Sequence, residues 1–382
     1  MGVLPIAHAH NTGQQNTMNH PHAKGQGHPG GSKEGASLRL VAWETTRSCN
    51  LSCAHCRAAA DNGPYEGELS TEASFRLLDQ IARVGNPIII LTGGEPLLRP
   101  DIFDIASYGT NKGLRMVMAV NGTLVTPDIA RKMVDSGIKR ISVSLDGASK
   151  EFHDSFRGVK GAFDGAMEGI RHARDAGLEF QINTTITKAN LTQIPKILEI
   201  AEEIGAAAHH IFLLVPTGRA KDIEDQAITA REYEDTLNWF YDQRDKTSLQ
   251  LKATCAPHYY RILRQRARQE GKTITFDTHG LDAVTRGCLG GIGFCFISHT
   301  GVVQPCGYLH TDCGNVTEQP FDEIWNSSEK FLKLRNYDLL EGKCGPCEYK
   351  RVCGGCRARA FEATGNFLAE EPLCTYVPHS MK

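Results

Sequence analysis

The sequence predicts an α/β fold: six strand-then-helix units in series, followed by a smaller loop-rich region that needs metal to hold it together. Three observations carry that prediction. Short β-rich runs alternate with stretches of helical period from Leu38 to about Leu251. The helical stretches begin on capping residues and stop at glycine. Beyond Leu251 both signals weaken, glycine becomes frequent, and ten of the thirteen cysteines lie between Cys255 and Cys374.

Taken in order, residues 1–36 are rich in His, Gly, Asn and Gln, including His8, His10, His20, His22 and His28, and read as a disordered polar tail. Residues 37–250 form the α/β domain, with strands expected at Leu38–Thr45, Pro87–Thr92, Arg115–Val120, Arg140–Leu145, Glu179–Ile186 and His210–Val215. Between the first two, Ser70 suits a helix cap, Glu72 its first turn, and Phe75, Leu78, Ile81 and Ala82 one apolar face. Two later helices should stop at Gly177 and Gly205. Units in series imply a parallel sheet with right-handed crossovers, either open or curled into a partial barrel. In both, ligands gather at the carboxyl ends of the strands. Residues 251–382 make the cysteine-rich region.

The 382 residues carry a net charge of -2, so no global field draws the chain to nucleic acid or to an anionic membrane. No apolar run reaches membrane-span length, and the N-terminus lacks the order of a signal peptide. The expected address is cytoplasmic. Thirteen cysteines in a reducing compartment point to metal, iron–sulfur or redox chemistry rather than disulfides.

Cys49, Cys53 and Cys56 follow the first strand, and no fourth cysteine joins them. An iron–sulfur cube takes one ligand per iron, so three thiolates leave one iron open to a small molecule. This CxxxCxxC spacing resembles the radical S-adenosylmethionine (SAM) family, whose fold is a partial (β/α)6 barrel. The resemblance implies that SAM chelates the open iron and is cleaved reductively to a 5′-deoxyadenosyl radical. It also implies SAM contacts from His55, from Gly93, Gly94, Glu95 and Pro96 in "GGEP", and from Asn121, Ser142, Ser144, Arg157 and Val215 at later strand ends. Glycine there would let backbone approach the ligand, and Glu95 would accept from the SAM ammonium.

The second cysteine set pairs Cys288, Gly301 and Cys306 with "CGPCEYKRVCGGC" and Cys374. On its own it would suit a zinc ribbon. Behind a radical SAM domain it resembles the SPASM domain, which carries auxiliary four-iron clusters. That implies one auxiliary cluster on Cys288, Cys295, Cys306 and Cys356, and another on Cys344, Cys347, Cys353 and Cys374. With SAM completing the first site, three cubes make about twelve irons. Cys255 and Cys313 remain as buried thiols or spares.

The text around both cysteine sets is similar to the SAM-dependent haem synthases of the sirohaem-dependent pathway. This implies oxidative decarboxylation of two propionates of iron-coproporphyrin III to vinyl groups, with a low-potential donor of flavodoxin or ferredoxin type. The substrate's carboxylates need cationic partners, for which Arg219, Arg261, Arg264 and Arg357 stand as candidates. A deacetylase of didecarboxysirohaem, a haem d1 maturase and a peptide-modifying maturase share these motifs. An iron–sulfur electron carrier would share only the cysteines.

Overall fold

The computed structural model describes residues 36–382; the expected tail lies outside the described residues. Seven strands run in parallel: β1 Leu40–Thr46, β2 Ile88–Gly93, β3 Arg115–Val120, β4 Ile141–Ser144, β5 Phe180–Ile186, β6 Ala208–Leu213 and β7 Gln250–Thr254. Three more, β8 Phe294–Ile297, β9 Val302–Gln304 and β10 Gly314–Asn315, complete a sheet of order β10-β9-β8-β1-β2-β3-β4-β5-β6-β7. From β1 to β7 the spatial order follows the chain. Right-handed crossovers on a monotone order place successive helices on the same face, which is the arrangement of a barrel left open. β10 and β7 end the sheet without meeting.

The intervening helices are α1 Thr71–Val84, α2 Ile102–Asn111, α3 Pro127–Asp135, α4 Lys150–Arg157, α5 Ala162–Asp175, α6 Ile194–Glu203 and α7 Ala230–Gln243; α8, His258–Gln269, follows β7. Ser70 caps α1 by accepting from the Ala73 N–H, and Leu77, Leu78 and Ile81 bury its inner face. Gly177 and Gly205, at φ 74° and 79°, turn the chain out of α5 and α6 as the sequence requires.

Strand alternation divides the sheet. Val41, Trp43, Ile89, Leu91, Met116, Met118, Ile141 and Val143 are buried in one core with the helices. The opposite face, including Ala119, Ser142, Ser144, Asn183, His210 and Lys252, is only half-buried.

Two features depart from the expected organisation. β7, a short polar-led "QLKAT", straddles the 250/251 boundary. β8 belongs to the cysteine-rich region yet pairs in parallel with β1, with Val41 beside Cys295. The two regions therefore share one sheet.

Candidate functional site

The loop between β1 and α1 carries Cys49, Cys53 and Cys56. It is pinned from three sides. Cys49 N–H donates to Asp61 O (2.9 Å), while Ser52 and Ala54 donate to Arg157 O and Phe156 O at the end of α4 (3.1 and 3.0 Å). Arg219 then clamps it through Nε to Cys53 O (2.9 Å) and Nη1 to Ala60 O (2.8 Å), with its own N–H on Cys56 O (3.0 Å). Each sulfur receives one donor: Leu51 N–H to Cys49 (3.4 Å), Arg157 Nη1 to Cys53 (3.5 Å) and Ala60 N–H to Cys56 (3.4 Å). Burial pushes the Cys49 thiol up to about 12, with Glu95, Cys53 and Cys56 adding like charge. Three sulfurs, those of Cys49 and Cys53 buried and that of Cys56 half-buried, each met by one N–H donor, fit a cube, whose thiolates are stabilised by iron and by such donors.

The "GGEP" turn works differently from expectation. A Cβ on Gly93 would meet Thr46 O at 2.2 Å, and one on Gly94 would meet Ser48 O at 2.3 Å. The close approach is therefore to the backbone leading into the cysteine loop, not to a ligand. Glu95, wholly buried, accepts from Leu97 N–H (3.2 Å) and Asn121 N–H (2.7 Å), joining the ends of β2 and β3. Burial raises its carboxyl to about 7, those two donors only partly opposing. It has no cationic partner among the described residues, which fits a carboxylate awaiting an ammonium. Pro96 opens the short helical turn that follows.

Asn121 is spent on the protein: Nδ2 donates to Asn50 Oδ1 (2.7 Å) and Oδ1 accepts from Thr123 N–H (2.9 Å). Ser142 and Ser144 are half-buried on the face away from the helices and free for a ligand. His55 stacks on Phe156 (4.4 Å, 11°), leaving Nδ1 unpartnered. Arg157 is ion-paired with the fully buried Asp146, which also accepts from Thr185 N–H (2.7 Å). Val215 packs with Leu309 and Cys356 and against Cys306 and Tyr308. Asp146 follows β4 directly in "SLDG", a signal that sequence reasoning passed over.

One predicted quartet is not assembled. Cys295 is fully buried in β8, where alternation turns it into the main core; Cys313, also in that core, is the thiol whose charge reaches it. Cys255 is the thiol that lies with Cys306 and Cys356 instead. With Cys306 and Cys356 it packs against Val215 and Leu309, and the charge of Cys288 bears on both Cys255 and Cys306. Cys255 holds a left-handed φ of 54°, unusual for a side-chain-bearing residue. Its carbonyl is fixed by Arg359 Nη2 (2.7 Å) and Tyr233 Oη (3.1 Å). A cysteine just past a strand's carboxyl end was the available sequence signal. The other quartet, Cys344, Cys347, Cys353 and Cys374, lines a single cavity.

Three of the four candidate substrate arginines are committed to the protein. Arg219 clamps the cysteine loop as described. Arg261 pairs with Glu234 (2.5 and 2.9 Å). Arg357 holds Phe367 O (3.0 Å) and Ala369 O (2.7 Å) and approaches Cys344 Sγ (3.7 Å). Among the described residues Arg264 donates a hydrogen bond only to Tyr260 O (3.1 Å). Sequence reasoning missed Lys252, on β7 beside His210 of β6, in the cross-strand row Ser144–Asn183–His210–Lys252. Burial lowers its pKa, with the charge of Asp282 only partly opposing.

Comparison with known proteins extends these findings. The Radical SAM superfamily model matches residues 43–201, and the SPASM model, an iron–sulfur cluster-binding domain, matches 288–357. The chain is 58% identical to the AdoMet-dependent heme synthase of Nitratidesulfovibrio vulgaris over 95% of its length and 98% of that protein. It is 54% identical to the protein of that name in Methanosarcina barkeri, covering 89% and 97% of the two chains. Streptococcus suis SuiB bound to S-adenosylmethionine shares the fold, with TM-score 0.70 at 15% identity over 89% of this chain and 78% of that one. No helix among the described residues is long and apolar enough to cross a membrane.

Proposed function

The chain belongs to the radical SAM superfamily and carries its SPASM iron–sulfur domain, and from that membership we propose that it is a haem synthase. It converts two propionates of iron-coproporphyrin III to vinyl groups; each gives one hydrogen atom to a 5′-deoxyadenosyl radical and then loses CO₂, with an auxiliary iron–sulfur cube of the SPASM domain as the acceptor of the one remaining electron. The observation that carries this reading is the end-to-end likeness to the heme synthase relatives, because cysteines common to the whole superfamily do not select a substrate.

Cys49, Cys53 and Cys56 hold the SAM-binding cube; Cys255, Cys288, Cys306 and Cys356 hold one auxiliary cube, and Cys344, Cys347, Cys353 and Cys374 the other. When bound, SAM and its cube supply a 5′-deoxyadenosyl radical that takes hydrogen from the propionate side chain. Glu95 receives the SAM ammonium. Ser142 and Ser144 offer hydroxyls to its ribose and carboxylate, and the free nitrogen of His55 faces the adenine. Arg157 acts through Asp146 and Cys53, as a positioning residue. Lys252, on the half-buried sheet face, and Arg264, whose side chain donates to Tyr260 O, suit substrate carboxylates. An electron donor of flavodoxin or ferredoxin type supplies the reducing electron.

Anaerobic incubation with SAM, dithionite and iron-coproporphyrin III tests the reading by mass spectrometry. The expected product has lost two formic-acid equivalents. Loss of acetate groups from a sirohaem-type substrate instead, or deoxyadenosine without porphyrin conversion, would assign the chain to another member of the superfamily.

A further inference from the structure

His258 opens α8, three residues beyond Cys255, and is fully buried. Neither of its ring nitrogens has a hydrogen-bond partner. An imidazole has one N–H to give in its neutral form, and burying a polar group without a partner is unfavourable. The ring is held edge-on by Tyr233 at 4.7 Å, so it does not turn freely in search of one. It lines the same cavity as Cys344, Cys347, Cys353 and Cys374. Apart from the Arg261 Nε, itself a donor without a partner, the neighbouring polar groups are engaged. Arg261 is on Glu234, Arg359 bridges Glu371, Tyr233 and Cys255 O, and Glu371 accepts the Cys356 N–H (2.6 Å). What remains for His258 is whatever fills the cavity.

We propose that His258 donates its ring N–H to a sulfur of the cube held by Cys344, Cys347, Cys353 and Cys374, and thereby sets that cube's reduction potential. The inference rests on the auxiliary-cube reading above. A donor on a cluster sulfur favours the reduced form, which carries the extra negative charge, and so raises the potential. His258 is a positioning and tuning residue in this role; it touches no substrate.

Potentiometric EPR titration of the three-cube protein tests this, in wild type, His258→Phe and His258→Gln. The SAM-binding cube is identified by the change in its signal on adding SAM. With iron content unchanged at about twelve per chain, His258→Phe should shift one auxiliary transition to more negative potential and leave the other in place. His258→Gln, which keeps an N–H, should restore it. An unshifted titration in His258→Phe, or a shift that His258→Gln does not reverse, overturns the inference while leaving the cubes intact. Loss of four irons in both variants also overturns it, by making the residue a support of folding. A wild-type chain with iron for only one auxiliary cube would instead overturn the reading on which it rests.

Discussion

Glu95 is a wholly buried carboxyl with two N–H donors and no cationic partner among the described residues. Its pKa of about 7 stands above the ordinary 4.5. The stability it contributes is therefore full below about pH 4.5 and is lost as pH climbs through 7, by on the order of 3 kcal/mol. Buried histidines such as His55 and His209, held below their ordinary range by burial, act in the opposite sense below about pH 6.5, so the measure is the difference between wild type and Glu95→Gln. In the SAM-free proteins the wild-type urea midpoint should fall relative to that of Glu95→Gln between pH 5 and pH 8, and a constant difference would put the titration elsewhere. Lys252→Met removes a charge-assisted contact worth about 1.5–3 kcal/mol. The expected result is a KM for the porphyrin raised roughly 10- to 150-fold, with SAM cleavage in its absence unaltered. At this scale the trio Cys49, Cys53 and Cys56 was legible because its spacing is local. The exchange of Cys295 for Cys255 was not, since it depends on which way two distant strands point their side chains. Iron analysis separates them: Cys255→Ala should lose about four irons, one cube's worth, and Cys295→Ala none.

Helices announced themselves. Ser70, Gly177 and Gly205 cap or end them through bonds formed within a few residues, so sequence alone located them. The cysteine loop is the opposite case. Its shape is imposed by α4, by the β2 turn and by Arg219, which lies 163 positions beyond Cys56. No local pattern marks such a clamp, and an arginine near a strand end reads equally well as a substrate contact. Arg219→Ala leaves Cys53 O and Ala60 O without their donor, at about 1–3 kcal/mol for a buried carbonyl. The first cube should then be lost or labile while the auxiliary cubes persist. Mössbauer spectra should show about eight irons that ignore added SAM, and a full complement of twelve would refute the clamp.

Across the whole molecule, the serial strand–helix pattern conveyed the parallel sheet, and its monotone order made the open barrel. What stayed hidden was that β8 returns to cover the edge of β1. β8 has four residues, too short to display a period, and its partner lies some 250 residues upstream. Its presence there predicts that a chain ending at residue 287 leaves β1 as a bare edge and self-associates. Size-exclusion chromatography should find aggregate, and a stable monomer would show the sheet to be self-sufficient without β8.

The backbone kink at Cys255 has a bearing on how the protein is made. On the proposed ligand sets, one thiol just past β7 must meet three that emerge later, the last of them at 356, and the other set closes only with Cys374. Loading of the auxiliary cubes then waits on nearly finished synthesis: a polypeptide ending before Cys356 closes neither nest, although its N-terminal trio is already present.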